Sequence, residues 1–256
     1  MCFGAVSDAY FKSFRRHAPA WKALLEAVRT DESVRILDLA SGPGESAKTM
    51  ALAMPAAQIT ATDIEQAMVD KHAQYIGGLP NVESRVANAE DLSVFADGSF
   101  DAVTMCYGIM FVVDRPKTFA EIKRVLKPGG KLALTFWRES KISLLAREML
   151  LELGRDDIQP FDSNKCGKEG MMDAELQAAG FEVVKNVDDA YDFGPYESIE
   201  DLYETAIVPF AFSLDGNPEK EELMAKAKFE FWKLAPIRYP NNTIPANKFR
   251  LTLASL

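Results

Sequence analysis

The feature that most constrains the fold is a short apolar run followed at once by a glycine-rich turn and a helical segment. The run VRILDLA spans 34–40, the turn SGPGES spans 41–46, and a helical stretch continues to about Met54. A nearly continuous apolar run of this length is typical of a strand that is covered on both faces. The pattern therefore predicts a buried strand that turns directly into a helix through glycines.

The alternation of strands and helices continues along the chain. Further strands are predicted at QITATD (58–63), near 82–87, at FDAVTMCY (100–107) and at KLALTFW (131–137), with helical patterns among them. This alternation predicts an α/β fold with a doubly wound, mostly parallel sheet and helices on both faces. Right-handed crossovers then place the loops after the first, second and fourth strands at one edge, where such sheets bind ligands.

The regularity weakens after residue 137. We expect a helix over roughly 140–153, a strand at FEVVKNV (181–187) and aromatic-rich helices over 198–235. These patterns predict a single domain over 1–256, with a core at 31–190, a helical cap at 191–247 and a closing strand at 248–256.

Charge and cysteine content indicate the kind of ligand and compartment. The formal net charge is -9 at pH 7. Nucleic-acid binding draws most of its affinity from phosphate neutralisation by basic residues, so this balance favours a small-molecule substrate over nucleic acid or an anionic membrane. Cys2, Cys106 and Cys166 show no C-x-x-C spacing, which favours free thiols and a reducing compartment. Without a signal-peptide or membrane-span pattern, a cytoplasmic location is expected.

The glycine turn permits two interpretations. Gly42, Gly44 and Ala47 satisfy the dinucleotide pattern G-x-G-x-x-A, and Asp63 has the spacing of a ribose-binding acid. Asp38, near the end of the first strand, favours a different ligand. A carboxylate beside the turn repels a pyrophosphate, whereas it suits S-adenosylmethionine, which carries an ammonium and a sulfonium group.

The order of motifs adds a family resemblance. LDLASGPGE (37–45), ATD (61–63), NAEDL (88–92), DGSFDAVTM (97–105) and RVLKPGG (124–130) together resemble class I S-adenosylmethionine-dependent methyltransferases. The similarity is greatest to the small-molecule branch that includes the quinone-biosynthesis C-methyltransferases. It implies a seven-stranded Rossmann-like sheet with a helical cap inserted in the C-terminal part, and an N-terminal helical lid at 1–30.

The resemblance also implies S-adenosylmethionine as the cofactor. Asp38 and the turn would hold its methionine part, Asp63 its ribose hydroxyls, and 88–90 its adenine edge. Ala40 and Asn88 depart from the commonest family residues, but both are compatible with binding. The positions assigned to the cofactor are Asp38, Ala40, Ser41, Gly42, Gly44, Asp63, Ile64, Met68, Asn88, Ala89, Glu90, Cys106 and Tyr107.

The sequence leaves the methyl acceptor open, with carbon, oxygen, nitrogen and sulfur acceptors all possible. Candidate substrate contacts are Tyr10, Phe14, Trp137 and Arg138. If a general base is needed, His17 and Tyr107 are the candidates. His72 is interpreted as a residue at the boundary of a helix stripe, without chemistry. No metal site is predicted, and no oligomeric state.

Two other functions use the same features. A nicotinamide-dependent oxidoreductase would bind NAD(P) on the same glycine turn, and a non-catalytic protein would bind S-adenosylmethionine without turnover.

Overall fold

The structure is a computed structural model that describes residues 15–256. The strands are β1 (Arg35–Leu39), β2 (Gln58–Asp63), β3 (Val82–Val86), β4 (Phe100–Cys106), β5 (Leu126–Glu139), β6 (Glu182–Phe193) and β7 (Ile244–Ser255). The α-helices are α1 (Ala18–Val28), α2 (Glu45–Ala53), α3 (Gln66–Tyr75), α4 (Arg115–Val125), α5 (Lys141–Glu152), α6 (Met171–Ala178), α7 (Ile199–Ala206), α8 (Val208–Ser213) and α9 (Lys220–Arg238). Short 3₁₀ helices lie at Arg15–His17, Lys165–Gly167 and Pro240–Asn242.

The strands form one seven-stranded sheet in the order β3-β2-β1-β4-β5-β7-β6. Strands β1 to β5 pair in parallel, whereas β7 pairs antiparallel with both β5 and β6. From β1 the chain first adds β2 and β3 on one side and then returns to add β4 on the other side of β1. A doubly wound sheet opens a crevice at its carboxyl edge at this point. The predicted fold class is confirmed.

Alternation along β1 explains why this strand is central. Leu37 and Leu39 pack into one apolar cluster, while Ile36 packs into a second cluster with Leu24 of α1 and Met50 of α2. Successive side chains of a strand point to opposite faces, so helices on both faces find apolar partners. Burial on both faces is what the continuous apolar run predicted.

The C-terminal part differs from the prediction in its boundaries. Strand β6 continues to Phe193, six residues beyond the predicted 187, and β7 begins at Ile244 instead of 248. The two strands pair along most of their length, from Glu182 with Ser255 to Phe193 with Ile244. Mutual pairing extends both strands, and no local pattern in the sequence reports it.

Helices α7, α8 and α9 lie between β6 and β7 in the chain, and all three contact α5. Helix α5 therefore packs with the three helices that follow β6. Within residues 15–256, no helix has the length and apolar character needed to cross a membrane.

Candidate functional site

A pocket of about 1250 Å³, including its part open to solvent, lies at the carboxyl ends of β1, β2 and β4. Parallel strands bring these ends to one edge, as the sequence predicted. We call two parts of its wall the loop side and the aromatic side. The loop side consists of Ala40, Ser41, Gly42, Glu45, Ser46, Asp63, Ile64 and Met68. The aromatic side consists of Met110, Phe111, Phe161, Val208, Pro209 and Phe212.

The turn between β1 and α2 requires its glycines. Gly42 and Gly44 have φ of +57° and +97°, and Ala40 also has a left-handed backbone at +49°. A Cβ added to Gly44 would lie 2.7 Å from Cδ1 of Ile76. Gly44 therefore tolerates no side chain for two reasons, its dihedral angle and the helix packed against it.

Asp38 lies behind the turn. Its side chain is fully buried, with Oδ1 accepting from the Thr104 hydroxyl and Oδ2 from the Ser46 hydroxyl, each at 2.6 Å. Burial raises the pKa of this carboxyl, and the two hydroxyl donors oppose the shift. Asp38 does not line the pocket itself; it joins β1 to β4 and to the first turn of α2, one hydrogen bond behind the loop side.

Asp63, the last residue of β2, does line the pocket. Its Oδ2 accepts from the Gly42 amide at 2.9 Å and its Oδ1 accepts from the Glu65 amide at 3.0 Å. Burial raises the pKa of this carboxyl, while the two amide donors lower it. A carboxylate has about four lone-pair sites, so both oxygens keep acceptor capacity toward a ligand in the pocket.

The remaining positions assigned to the cofactor divide between the pocket and its surroundings. Ala40, Ser41, Gly42, Ile64, Met68, Cys106 and Tyr107 line the pocket. Gly44, Asn88, Ala89 and Glu90 are not among the lining residues. The backbone joins 88–90 to the site, since the Ala87 amide donates to the Asp63 carbonyl at 3.0 Å. Their contact with adenine stays a prediction.

A chain of hydrogen bonds, which we call the His17–Tyr191–Tyr107 chain, lies beside β4 and β5. The Tyr191 hydroxyl lies 2.9 Å from His17 Nδ1 and 3.0 Å from the Tyr107 hydroxyl. Trp137 stacks on Tyr107 with ring centroids 4.1 Å apart. Tyr107 also has a left-handed backbone, with φ of +53°, and strained residues of this kind concentrate at functional sites.

Burial keeps the members of this chain uncharged at neutral pH. It lowers the pKa of His17 to about 3 and raises the pKa of Tyr107 well above its usual value. It also raises the pKa of the neighbouring Cys106 thiol to about 12. His17, Tyr107 and Trp137 line the pocket, so the two base candidates and one predicted substrate contact come together there.

The other predicted substrate contacts do not join them. Arg138 follows Trp137 in β5 and therefore points to the opposite face of the strand. It donates to the Gly167 carbonyl at 2.7 Å and pairs with Glu169. It does not line the pocket. Tyr10 and Phe14 lie outside the described residues.

Sequence reasoning missed two residues. Tyr191 lies within β6, beyond the predicted end of that strand, and was assigned to the cap. His72 is 1% exposed, and its Nε2 lies 2.8 Å from the Gly42 carbonyl oxygen. The available signal for His72 was its position one helical turn after Met68. Among residues 15–256, no group of three or more histidine, cysteine or acidic side chains has a metal-binding arrangement.

Comparison with known proteins identifies the fold and the family of the central segment. Residues 37–134 match the methyltransferase domain family. Over this segment the chain is therefore similar to methyltransferase domains. It is 38% identical over 150 residues to the demethylmenaquinone methyltransferase of Clavibacter sepedonicus, covering 57% of this chain and 60% of the relative. It is 35% identical over 127 residues to a ubiquinone/menaquinone biosynthesis C-methyltransferase of Geotalea daltonii, covering 48% and 51%.

Solved structures agree with the fold. A SAM dependent methyltransferase from Aquifex aeolicus has a TM-score of 0.54 at 21% identity, over 71% of this chain and 92% of that one. The [4+2]-cyclase SpnF has a TM-score of 0.59 at 23% identity, over 93% and 79%. The predicted family resemblance is therefore confirmed. The chain spans about half to three fifths of the curated relatives above, and a cyclase shares the fold, so activity must be argued from the site.

Proposed function

We propose that the protein transfers a methyl group from S-adenosylmethionine to a small-molecule acceptor by in-line displacement. One observation carries the proposal: a single pocket joins the glycine turn and Asp63 to an apolar, aromatic wall. The loop side suits a polar donor and the aromatic side suits an acceptor. Both ends of the reaction then lie in one pocket at the strand edge.

The loop side fits the donor chemically. Asp63 would hold the ribose hydroxyls with its remaining lone pairs, and Met68 would pack against the nucleoside. Asp38 and Glu45 add negative charge at or behind the turn, which favours the cationic methionine end. The same charges oppose the pyrophosphate of NAD(P), so an oxidoreductase is the less favoured function.

The chain's contribution to methyl transfer is alignment and exclusion of water. When bound, S-adenosylmethionine supplies an activated methyl group with a good leaving group. Alignment of the acceptor with that methyl group can provide an effective molarity of about 10⁵–10⁸ M. Cys106, Tyr107 and Trp137 line the same pocket as the loop side and the aromatic side.

The aromatic side favours a flat, largely apolar acceptor. Phe111 and Phe161 stack with centroids 5.3 Å apart, and Phe212 lies edge-on 5.4 Å from Phe161. Hydroxyl groups of Ser140, Ser143 and Ser163 also line the pocket and offer hydrogen bonds to polar substituents. Of the two predicted base candidates, His17 is uncharged and can take a proton from the acceptor, whereas burial keeps the Tyr107 phenol protonated, so it would first have to lose its own proton.

The remaining expectations belong to the same proposal. We infer a cytoplasmic protein, supported by cysteines without disulfide spacing, with a small-molecule partner and no nucleic-acid partner, supported by its net charge of -9. The proposed organisation keeps the predicted order of a lid at 1–30, a core, a cap and a closing strand, with the core ending with β6 at Phe193, the cap between β6 and β7, and β7 as the closing strand.

Calorimetric titration tests the donor assignment. S-Adenosylmethionine and S-adenosylhomocysteine are expected to bind, and NAD to bind far more weakly. Asp63→Asn is expected to lower S-adenosylhomocysteine affinity by about 10- to 150-fold, because hydrogen bonds to a charged group contribute about 1.5–3 kcal/mol. Asp70→Asn, at an exposed carboxyl of α3, is the control and is expected to change nothing. Tight NAD binding with no response to S-adenosylhomocysteine would overturn the proposal.

Turnover separates an enzyme from a binding protein. Release of S-adenosylhomocysteine is measured over time with aromatic, hydroxylated and thioether acceptors in separate reactions. An acceptor-dependent rate supports methyl transfer. Binding of the donor with no acceptor-dependent release across a broad panel would favour the non-catalytic function.

A further inference from the structure

Within residues 15–256, the His72 side chain makes one hydrogen bond, and it is to the glycine turn. The ring lies on α3, one turn after Met68, and is 1% exposed. Its Nε2 lies 2.8 Å from the Gly42 carbonyl oxygen. A carbonyl oxygen only accepts, so Nε2 carries the hydrogen and donates it. Burial lowers the pKa of His72, which keeps the ring neutral with Nδ1 unprotonated.

The bond completes a clamp on one residue, because it holds the second of the two peptide units that flank Gly42. Asp63 accepts from the Gly42 amide at 2.9 Å, while His72 donates to the Gly42 carbonyl. Gly42 has a left-handed backbone with φ of +57°, so its orientation is not maintained by regular secondary structure. The clamp therefore fixes Gly42, a residue of the turn that lines the pocket.

The ring also limits the space at the next glycine. A Cβ added to Gly44 would lie 3.1 Å from His72 Cδ2. Thus α3 contacts the turn at two points, by a hydrogen bond at Gly42 and by packing at Gly44.

The other ring nitrogen of His72 is buried at a cost that the ring's bond to Gly42 offsets. His72 Nδ1 is buried and has no hydrogen-bond partner within the described part of the chain. Burying a polar atom without a partner is unfavourable, so an apolar residue would suit the core better. The bond to Gly42 is the compensating feature.

We propose that His72 is a positioning residue that holds the Gly42 carbonyl and so preforms the turn for its ligand. The effect on donor affinity rests on the proposed function, whereas the effect on the free turn does not. The methionine part of the donor would bind a turn that is already in place, without the cost of ordering it.

Three variants separate the hydrogen bond from simple packing. His72→Gln places an amide N–H near the position of Nε2 and is expected to keep the bond. In His72→Asn the shorter side chain brings its amide nitrogen only to about the position of Nδ1, so the bond is lost. His72→Leu removes every polar atom and serves as the apolar reference. Urea unfolding of all three establishes that each variant is folded.

Hydrogen exchange of the free protein tests the clamp without any ligand. The Gly42 and Gly44 amides are expected to exchange about tenfold or more faster in His72→Asn and His72→Leu than in the wild type and His72→Gln. Equal exchange in all four proteins would overturn the inference. So would loss of protection in His72→Gln equal to that in His72→Leu, since the donor would then not matter.

Titration with S-adenosylhomocysteine tests the consequence. Affinity is expected to fall about tenfold or more in His72→Leu and His72→Asn and to stay within about threefold in His72→Gln. If no variant changes affinity, the turn does not need the clamp and the positioning role is refuted. If the wild type itself does not bind, the proposed function fails, and the exchange measurements alone decide the role of His72.

Discussion

Substitution of Gly44 by alanine is the most direct probe of the turn, because two separate costs can be worked from the structure. The first is conformational: φ is +97°, and a left-handed backbone costs a residue with a Cβ about 1–2 kcal/mol. The second is steric: the new Cβ would lie 2.7 and 2.8 Å from two carbons of Ile76. Overpacking of this kind costs about 1–3 kcal/mol. Together they predict a loss of about 2–5 kcal/mol in the free energy of unfolding.

Gly98 offers a matched control. Its φ is +59°, and a Cβ added there would meet nothing within 4 Å. Gly98→Ala therefore carries only the conformational cost, about 1–2 kcal/mol. The difference between the two variants isolates the steric contribution of Ile76, about 1–3 kcal/mol. Urea unfolding of both proteins measures it directly.

The affinity for S-adenosylhomocysteine shows whether the turn or Ile76 moves in Gly44→Ala. Ile76 is 6% exposed and packed in the core, so we expect the turn to shift away from α3 instead. S-Adenosylhomocysteine affinity then falls about tenfold or more, while Gly98→Ala binds normally. If the free energies of unfolding of Gly44→Ala and Gly98→Ala agree within about 0.5 kcal/mol, the steric argument is refuted. A destabilised Gly44→Ala with wild-type affinity would show that Ile76 moves and the turn does not.

Two further predictions concern stability. The pKa of His17 is about 3 when folded and about 6.5 when unfolded, so below pH 6.5 the unfolded chain binds the proton first. Stability from this source is complete above pH 6.5 and falls by up to about 1.4 kcal/mol per pH unit toward pH 3. When the pH is lowered from 7.5 to 5, the free energy of unfolding measured with urea is therefore expected to fall about 2 kcal/mol more in the wild type than in His17→Gln. Equal decreases in the two proteins would contradict the burial of His17. Asn81 donates to the carbonyls of Ala51, Met54 and Ala57, so Asn81→Leu is expected to cost about 2–5 kcal/mol at constant pH. Gln74→Leu, at an exposed amide of α3, is expected to cost less than about 1 kcal/mol; similar losses in both would show that the buried amide contributes little.

Local patterns predicted the part of the site that depends on parallel strands. The apolar runs ending at Leu39 and Asp63 identify strands, and parallel pairing brings their carboxyl ends together without further information. The turn needs left-handed residues, so its glycines are visible in the sequence as well. For these reasons six of the eight loop-side residues were named from the sequence, whereas Glu45 and Ser46 were not.

Contacts that depend on long-range pairing were not predictable. Tyr191 reaches His17, 174 positions earlier, because β6 pairs with β7 well beyond its apolar part. Strand alternation permits only one of Trp137 and Arg138 to face the pocket, but the local pattern does not say which. Asp38 has the right position for an acidic group, while its two hydroxyl partners come from α2 and β4 and were invisible in the sequence.

The glycine turn and the His17–Tyr191–Tyr107 chain are held by separate sets of hydrogen bonds, which has a consequence for how they act. Asp38, Asp63 and His72 support the turn from β1, β2 and α3, whereas the His17–Tyr191–Tyr107 chain joins β4, β6 and the segment before α1. These two sets of bonds share no residue. Effects of substitutions at sites that share no partners are usually additive. Changes at His72 should therefore alter donor affinity while leaving the hydroxyl chain intact, and removal of the Tyr191 hydroxyl should act on the acceptor step with the donor still bound.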